Sequence, residues 1–273
     1  MEPKRITSLS NPAVKAAAKL KQPRASKEAG CFIVEGARSV EELTGDWETE
    51  SLWVSDTFWG QNHALGWEIA QRLRPSAFCH TPDSILNAIA GTQSPQGILA
   101  VVRRRYFTLQ DVLEHQSTTP LLVILEDLQD PGNAGTILRT ADAAGANGII
   151  CTEKTVDFYN AKVVRASMGS VFHLPFHVAE NLSETLIWLR NQGIQILAAH
   201  LDGDAPYFQQ DLTGPCAILI GNEGAGLSKG AASLSDMLVK IPQPGRAESL
   251  NAAVAAAILV YDVIRQRMSG SKK

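Results

Sequence analysis

Short apolar runs alternate along the chain with longer stretches in which apolar residues recur every three or four positions. Such runs are typical of buried strands, and such stretches are typical of helices that pack on a sheet. In the first hundred residues the predicted strands are 31–34, 51–54, 77–80 and 97–102, and the predicted helices are 13–20, 37–43, 67–73 and one that Pro82-Asp83 opens and that closes near Gly91. This alternation predicts an α/β fold.

The second half of the chain repeats strand and helix more regularly. Its predicted strands are 121–125, 148–151, 171–174, 194–199, 216–220 and 237–241, and its predicted helices begin at Asn133 or span 160–168, 183–191 and 250–267. Because these strands are continuous apolar runs, we expect a parallel sheet covered by helices on both faces. Ligands of such sheets bind beyond the carboxyl ends of the strands.

A polar segment separates the two halves. A chain of 273 residues with 45% hydrophobic content can bury one large core or two modest ones. Residues 106–119 have the composition of an interdomain connection. We therefore expect a smaller N-terminal domain at 1–105, a linker at 106–119 and a second domain at 120–273. Arg103-Arg104-Arg105, just before the linker, is equally consistent with an RNA backbone contact and with a solvated linker.

Composition limits the classes of partner. The net charge of −3 does not favour wholesale attraction to nucleic acid, so an RNA site must be local. The most basic stretch is 1–27, with seven lysines and arginines against Glu2; its cations either contact phosphate or are solvated. The cysteines, Cys31, Cys79, Cys151 and Cys216, stand singly, without the paired spacing of a zinc site or a disulfide framework. We expect a cytoplasmic protein with reduced thiols, no metal and no membrane association.

Three glycine-bearing segments follow predicted strands of the second domain. The first contains Asn133-x-Gly135-x-x-x-Arg139, in which Asn133 can cap the helix. Arg139 lies almost two turns further on, on a face different from that of Ile137 and Leu138. Taken alone, a helix arginine of this kind is more often solvated or paired than catalytic.

The second segment is Gly221-Asn222-Glu223-Gly224, and the third runs from Ile241 to Asn251. The order of glycines is not that of a dinucleotide or phosphate-binding loop. Glycines here either let the backbone approach a flat ligand closely or belong to an ordinary turn. In the third segment two prolines stiffen the loop before a helix that Ser249 starts, and Ile241 and Leu250 offer apolar walls for an adenine.

Together the three segments resemble the motifs of the TrmH/SpoU family of RNA ribose 2'-O-methyltransferases. The segments 32–38 and 94–98 resemble the substrate-binding domain that precedes the catalytic domain in many members. The resemblance implies the SPOUT α/β knot, in which the carboxyl-terminal region threads through a loop. It also implies a homodimer packed partly through the closing helix, S-adenosylmethionine as the methyl donor, and RNA as the substrate, with ribosomal RNA favoured over transfer RNA.

By the same resemblance, individual residues acquire roles. The implied catalytic residues are Arg139, Asn133, Glu223, Ser249 and Asn251. The implied cofactor contacts are Gly221, Ile241 and Leu250, with no metal. The chain differs from the usual sequence of the family motif at Gln243, where methionine is common, and at Ala252-Ala253, where valine and serine are common.

Two other functions stay open. One is an RNA-binding or ribosome-assembly protein that has lost transfer activity on the same fold; the presence of Arg139 and of the motif glycines favours the enzyme. The other is a nucleotide-dependent enzyme with a plain doubly wound sheet. Four tryptophans of the first domain, Trp47, Trp53, Trp59 and Trp67, follow no repeat, and their spacing favours packing or domain-surface aromatics over an RNA-stacking surface.

Overall fold

A computed structural model describes residues 2–116, 119–201 and 203–270. The chain divides into two compact units. The first unit extends to Arg105 and also takes in Tyr159–Phe172, and the second comprises Tyr106–Phe158 and the chain from His173 onward.

The first unit is built on a mixed five-stranded sheet. Its elements up to residue 105 are β1 (Lys4–Arg5), α1 (Pro12–Lys19), α2 (Pro23–Ala29), β2 (Cys31–Glu35), α3 (Ala37–Glu41), β3 (Thr49–Ser55), α4 (Asp56–Gln61), α5 (His63–Leu73), β4 (Ala77–Thr81), α6 (Asp83–Ile89) and β5 (Ile98–Arg103). The strand order is β1-β4-β3-β5-β2, and β5 runs antiparallel to both of its neighbours. One face of the sheet packs on α1 and α6 around Trp53, Leu86 and Leu99.

Local signals explain where the helices of this unit begin. Asn11 accepts a hydrogen bond from the Ala13 amide at 2.9 Å, and Pro12 takes the first helical position, so α1 begins as predicted. The Ser55 hydroxyl accepts from the Phe58 amide and caps α4, a helix that the apolar pattern did not indicate.

The second unit is built on a seven-stranded, wholly parallel sheet. The elements from residue 106 onward are α7 (Leu109–Glu114), β6 (Leu121–Leu125), α8 (Pro131–Ala143), β7 (Gly148–Thr152), α9 (Ala161–Ala166), α10 (Ser170–His173), β8 (Phe176–Ala179), α11 (Leu182–Asn191), β9 (Gln195–Ala199), β10 (Ala205–Pro206), a 3-10 turn (Tyr207–Gln209), β11 (Cys216–Ile220), α12 (Lys229–Leu234), β12 (Met237–Lys240) and α13 (Ala252–Gly270). The strand order is β10-β12-β9-β11-β6-β7-β8. Both α9 and most of α10 belong to the first unit. The predicted mixed α/β class with a parallel sheet is confirmed, and the threading of the knot stays a prediction.

The centre of this sheet positions the motifs. Strands β6 and β11 are buried at every residue and pair in register, with Leu125 opposite Ile220. The Glu126 amide donates to the Ile220 carbonyl at 2.9 Å, so the two chains leave the sheet side by side. Because all strands are parallel, the loops after β6, β11 and β12 emerge at the same edge.

Two predicted segments differ from the structure. In the segment 171–174, predicted as a strand, residues 171–173 lie in α10, and the strand lies at 176–179 instead. The Trp47 indole donates to the Phe172 carbonyl at 3.1 Å, and the two rings pack edge to face, so this apolar run is buried by aromatic contacts. The predicted linker contains α7, which Thr108 and Asp111 start with a capping box and which buries Val112.

Among the described residues, no helix is both long enough and apolar enough to cross a membrane.

A substitution at Gly148, at the start of β7, tests how tightly the second unit is packed. A Cβ at this position would lie 2.5 Å from the Pro175 carbonyl oxygen and 2.7 Å from Val112 Cγ1. Since a backbone carbonyl in a sheet cannot move aside cheaply, we expect Gly148→Ala to lower the free energy of unfolding by about 1–3 kcal/mol. Denaturant unfolding of the variant and the parent measures the difference.

Gly214→Ala is the matched control, because a Cβ there meets no atom within 4 Å. We expect it to change stability by less than about 0.5 kcal/mol. Equal unfolding midpoints for the two variants would show that the contact at Gly148 does not constrain the fold.

Candidate active site

The loops after β11 and β12 and the start of α13 enclose a cavity of about 450 Å³. Its walls include the three residues predicted to contact the cofactor, Gly221, Ile241 and Leu250. Three of the residues predicted to be catalytic, Glu223, Ser249 and Asn251, also line it. A shallow depression of about 530 Å³ lies at the carboxyl end of α11, and none of the motif residues lines it.

Gly221 is the point of closest backbone approach in this cavity wall. A Cβ at Gly221 would lie 2.4 Å from the Gly226 carbonyl carbon. The loop closes there through two backbone hydrogen bonds between Asn222 and Gly226, of 3.0 and 2.9 Å. Only glycine fits at position 221, because the obstructing atoms belong to the backbone.

Asp127 ties the loop after β6 to the loop after β11. Its backbone is left-handed, with φ of 54°, a conformation that aspartate tolerates better than most residues. The Asp127 amide donates to Thr152 Oγ1 at 2.8 Å, and the Asp127 carbonyl accepts from Asn222 Nδ2 at 2.8 Å. Asp127 is not among the predicted site residues, since an aspartate directly after a strand carries no distinctive pattern.

Glu126 is a second residue that the motifs did not reveal. Its side chain is 9% exposed, and Oε2 accepts a hydrogen bond of 2.8 Å from the Ser228 amide just before α12. Ser228 in turn caps α12 by accepting from the Ala231 amide. Glu126 therefore fixes the far end of the Gly221 loop.

The Glu223 carboxylate joins the first and second motifs. It accepts hydrogen bonds from the Asp130 amide at 2.9 Å, the Gln129 amide at 3.1 Å and Asn133 Nδ2 at 3.1 Å. Partial burial opposes ionisation, but these donors outweigh it and hold the pKa of Glu223 below its ordinary value of 4.5. The ionised carboxylate therefore stabilises the junction above pH 4.5, and this contribution is lost as the pH falls through the lower folded-state pKa.

Asn133 and Asn251 extend the connection to the third motif. Asn133 Oδ1 accepts from Asn251 Nδ2 at 2.9 Å. Asn251 Oδ1 accepts from the Ala253 amide at 2.9 Å and the Val254 amide at 3.3 Å, which caps α13. A continuous chain of side chains thus runs from Glu223 through Asn133 to Asn251.

Two predicted caps were wrong. Asp130, not Asn133, caps α8, because Pro131 takes the first helical position and Asp130 Oδ1 accepts from the Asn133 amide at 2.8 Å. Freed from capping, the Asn133 side chain can bridge the motifs. The closing helix begins at Ala252 with Asn251 as the capping side chain, so Ser249 does not start it and is left exposed in the cavity wall.

Arg139 lies outside the cavity wall. It is exposed on α8, about 9 Å along the helix from Asn133, and it makes no hydrogen bond or ion pair with any residue that the structure describes. Its guanidinium is therefore available to an anionic group from outside this part of the chain.

Comparisons with known proteins show which family this chain resembles. The model of the SpoU rRNA methylase family matches residues 120–261, and the model of the MRM3-like substrate binding domain matches residues 11–100. A 23S rRNA (guanosine(2553)-2'-O)-methyltransferase of Bacillus subtilis is 33% identical over 94% of this chain and 98% of its own. A 23S rRNA (uridine(2479)-2'-O)-methyltransferase of Streptomyces viridochromogenes is 35% identical over 89% of this chain and 85% of its own.

Solved structures show the same similarity. An AdoMet-bound rRNA methyltransferase from Sinorhizobium meliloti aligns with a TM-score of 0.82 and 34% identity, covering 96% of this chain and 97% of the other. The SpoU methyltransferase AviRb from Streptomyces viridochromogenes, in complex with AdoMet, aligns with a TM-score of 0.84 and 31% identity, covering 95% and 99%.

The bridging role of Asn133 is tested by Asn133→Asp. The substitution keeps the shape but replaces the Nδ2 donor with a second carboxylate oxygen facing Glu223. We expect the variant to be about 1 kcal/mol less stable than the parent at pH 7, with the difference shrinking towards pH 5 as the carboxyl pair takes up a proton. Thermal melting of both proteins across this pH range measures the effect.

Asn87→Asp on the exposed side of α6 is the control, because it makes the same chemical change without a hydrogen-bonded carboxylate. Its effect on melting should not vary over this range. A constant difference for Asn133→Asp as well would contradict the bridge.

Proposed function

The chain belongs to the SpoU rRNA methylase family, and on that premise we propose that it transfers a methyl group from S-adenosylmethionine to a ribose 2'-hydroxyl of ribosomal RNA. The observation that carries the proposal is the cavity at Gly221, Ile241 and Leu250, held in place by the Glu223–Asn133–Asn251 chain. Relatives named for 23S rRNA favour ribosomal RNA over transfer RNA.

The cavity suits the cofactor. Its volume lies in the range of small-molecule sites, and it combines apolar walls with a few polar groups. Because Gly221 has no side chain, its backbone can lie in contact with the backbone at Gly226. Ile241 and Leu250 supply apolar surface. When bound, S-adenosylmethionine supplies an electrophilic methyl group on a sulfonium centre.

The residues around the cavity differ in what they can do. The oxygens of Glu223 already accept three hydrogen bonds and its pKa is depressed, so it holds the loops together and is a poor proton acceptor. Ser249 and Asn251 lie at the cavity wall, where their polar groups can orient an entering ribose.

We assign Arg139 to the RNA. A ribose hydroxyl loses its proton as it attacks, and the developing negative charge needs a fixed cation. Arginine stays protonated in proteins, so it serves better to hold a phosphate or to stabilise an alkoxide than to act as a base. The guanidinium on α8 is exposed and has no partner in the part of the chain that the structure describes, which fits that role.

The two family matches support a division of labour within the chain. We propose that residues 1–105 form the RNA substrate-binding domain and that residues 120–273 form the methyltransferase domain. The segment 106–119 then connects them while contributing α7 to the second unit.

Exposed apolar residues on α13 favour a homodimer. Val254, Tyr261 and Met268 are 47%, 49% and 69% exposed and recur every seven residues, which places them on one side of the helix. The other side is buried through residues such as Ala256 and Val260. We propose that the exposed stripe packs against the same stripe of a second copy.

The cysteines fit a reducing compartment, and we place the protein in the cytoplasm. All four are free and buried. Burial raises the pKa of Cys79 and Cys216 to about 11 and that of Cys151 to about 12, so these thiols stay protonated and unreactive at neutral pH.

Methyl transfer to separated ribosomal and transfer RNA tests the proposed reaction and the role of Arg139. We expect the parent to methylate ribosomal RNA and Arg139→Lys to be at least about tenfold slower, because lysine keeps the charge but loses the planar, two-pronged donor. Calorimetry should show unchanged S-adenosylmethionine binding, since Arg139 does not line the cavity.

Arg190→Lys is the control for that experiment, because Arg190 pairs with Asp236 on the shallow depression away from the motifs. Parental rates for both variants would refute the role of Arg139. Cofactor binding without transfer to either RNA would favour the inactive assembly protein, and transfer to transfer RNA alone would change the substrate.

The proposed dimer is tested by Tyr261→Glu, which introduces a charge into the stripe. We expect the parent to sediment as a dimer and the variant as a monomer, because a buried unpaired carboxylate strongly disfavours association. Ile187→Glu on α11 is matched in exposure, at 47%, and should leave the dimer intact. A monomeric parent would rule the dimer out.

A further inference from the structure

A second cavity lies wholly within the first unit, between the end of α5 and the start of β4. It has a volume of about 240 Å³. Its walls are Trp67, Ala70, Gln71, Arg74, Pro75 and Phe78. These residues fall inside the segment 11–100 that matches a substrate-binding domain.

Aromatic rings form one wall of this cavity. Trp67 and Phe78 meet edge to face with centroids 5.9 Å apart, and Trp59 supports both, at 6.2 Å from Trp67 and 5.5 Å from Phe78. Packing explains Trp47 and Trp53, which are 1% exposed, but Trp67 is only partly buried. Packing alone therefore does not account for the exposed part of Trp67.

Arg74 at the rim adopts a backbone that its residue type disfavours. It ends α5 in the left-handed region, at φ 46° and ψ 54°, where glycine or asparagine is usual. Its guanidinium makes no hydrogen bond or ion pair within the described ranges of the chain. A strained arginine with an unpaired side chain at a cavity points to a function for that side chain.

The chemistry of the cavity matches an unpaired nucleobase. Bases in single-stranded RNA stack on tryptophan rings and on arginine planes. The Gln71 amide, which also has no hydrogen-bond partner among the described residues, can read a base edge, and Arg74 can attract the adjoining phosphate. Among the described residues, no acidic side chain lines the cavity to repel the phosphate.

We propose that this cavity binds one unstacked base of the RNA substrate, between Trp67 and Arg74. The inference rests on the proposed function, because it takes RNA as the partner of the first unit. It adds a base-binding site that lies outside the three methyltransferase motifs.

The substitution Arg74→Gly tests the site, and we expect it not to lower the stability of the protein. Glycine is the preferred residue in the left-handed region, so the variant should melt at or above the temperature of the parent. We expect about tenfold weaker binding of a short, labelled, single-stranded oligoribonucleotide, and a similar rise in KM for RNA with kcat and S-adenosylmethionine affinity unchanged. Arg74→Lys should restore the salt dependence of binding but only part of the affinity.

Arg72→Ala is the matched control. Arg72 lies two positions earlier, donates to the Val40 carbonyl at 3.4 Å and does not line the cavity, yet its removal changes the net charge equally. We expect its oligoribonucleotide affinity to stay within about twofold of the parent. Equal losses for Arg72→Ala and Arg74→Gly would reduce the effect to overall charge and overturn the base-binding site.

The outcomes also separate this inference from the proposed function. If the parent methylates RNA while Arg74→Gly keeps the parental oligoribonucleotide affinity and the parental KM for RNA, the base-binding site is wrong. The proposed methyltransferase function is then still supported. If the parent methylates no RNA, the proposed function is wrong. Oligoribonucleotide binding by Arg74→Gly and Arg72→Ala then still shows whether the cavity binds a base.

Discussion

The side chain of Asn133 is the link on which the site depends. Its amide nitrogen donates to Glu223 and its amide oxygen accepts from Asn251, so one residue uses both of its polar ends to join loops that are about ninety and about one hundred and twenty residues away in sequence. Without it, the Glu223 carboxylate would keep only backbone partners from the loop after β6, and the start of α13 would lose its tie to that loop.

That link works because the backbone around it is constrained by packing. Gly221 brings two stretches of backbone within contact distance, and Asp127 accepts a left-handed conformation to present its carbonyl to Asn222. The left-handed backbone of Asp127 is held by the hydrogen bond from its amide to Thr152 and by the one from Asn222 to its carbonyl. Loops that are rigid before a ligand binds lose less conformational entropy on binding, which suits the proposed cofactor cavity.

The proposed RNA contacts depend on a few exposed arginines. The net charge of −3 does not favour general attraction to RNA, so the proposed recognition rests on a few exposed cations that have no partner among the described residues. Arg139 on α8 and Arg74 at the end of α5 are two such residues, one in each unit. A polyanion engaged at separate points is held more tightly and more selectively than by either contact alone.

Hydrophobic periodicity is a local signal, so the amino-acid sequence predicts the strand and helix alternation and the parallel sheet. The resemblance to the TrmH/SpoU motifs adds the segments that line the cavity. Other features depend on contacts that form only in the folded chain. The run 171–174 reads as a strand, yet 171–173 belong to the short helix α10, where Trp47, far away in sequence, packs against Phe172. Asn133 reads as a cap, yet its bridging role depends on partners that approach only when parallel strands align their carboxyl ends. Contacts between distant residues leave no periodic trace, so neither outcome could be read from the chain alone.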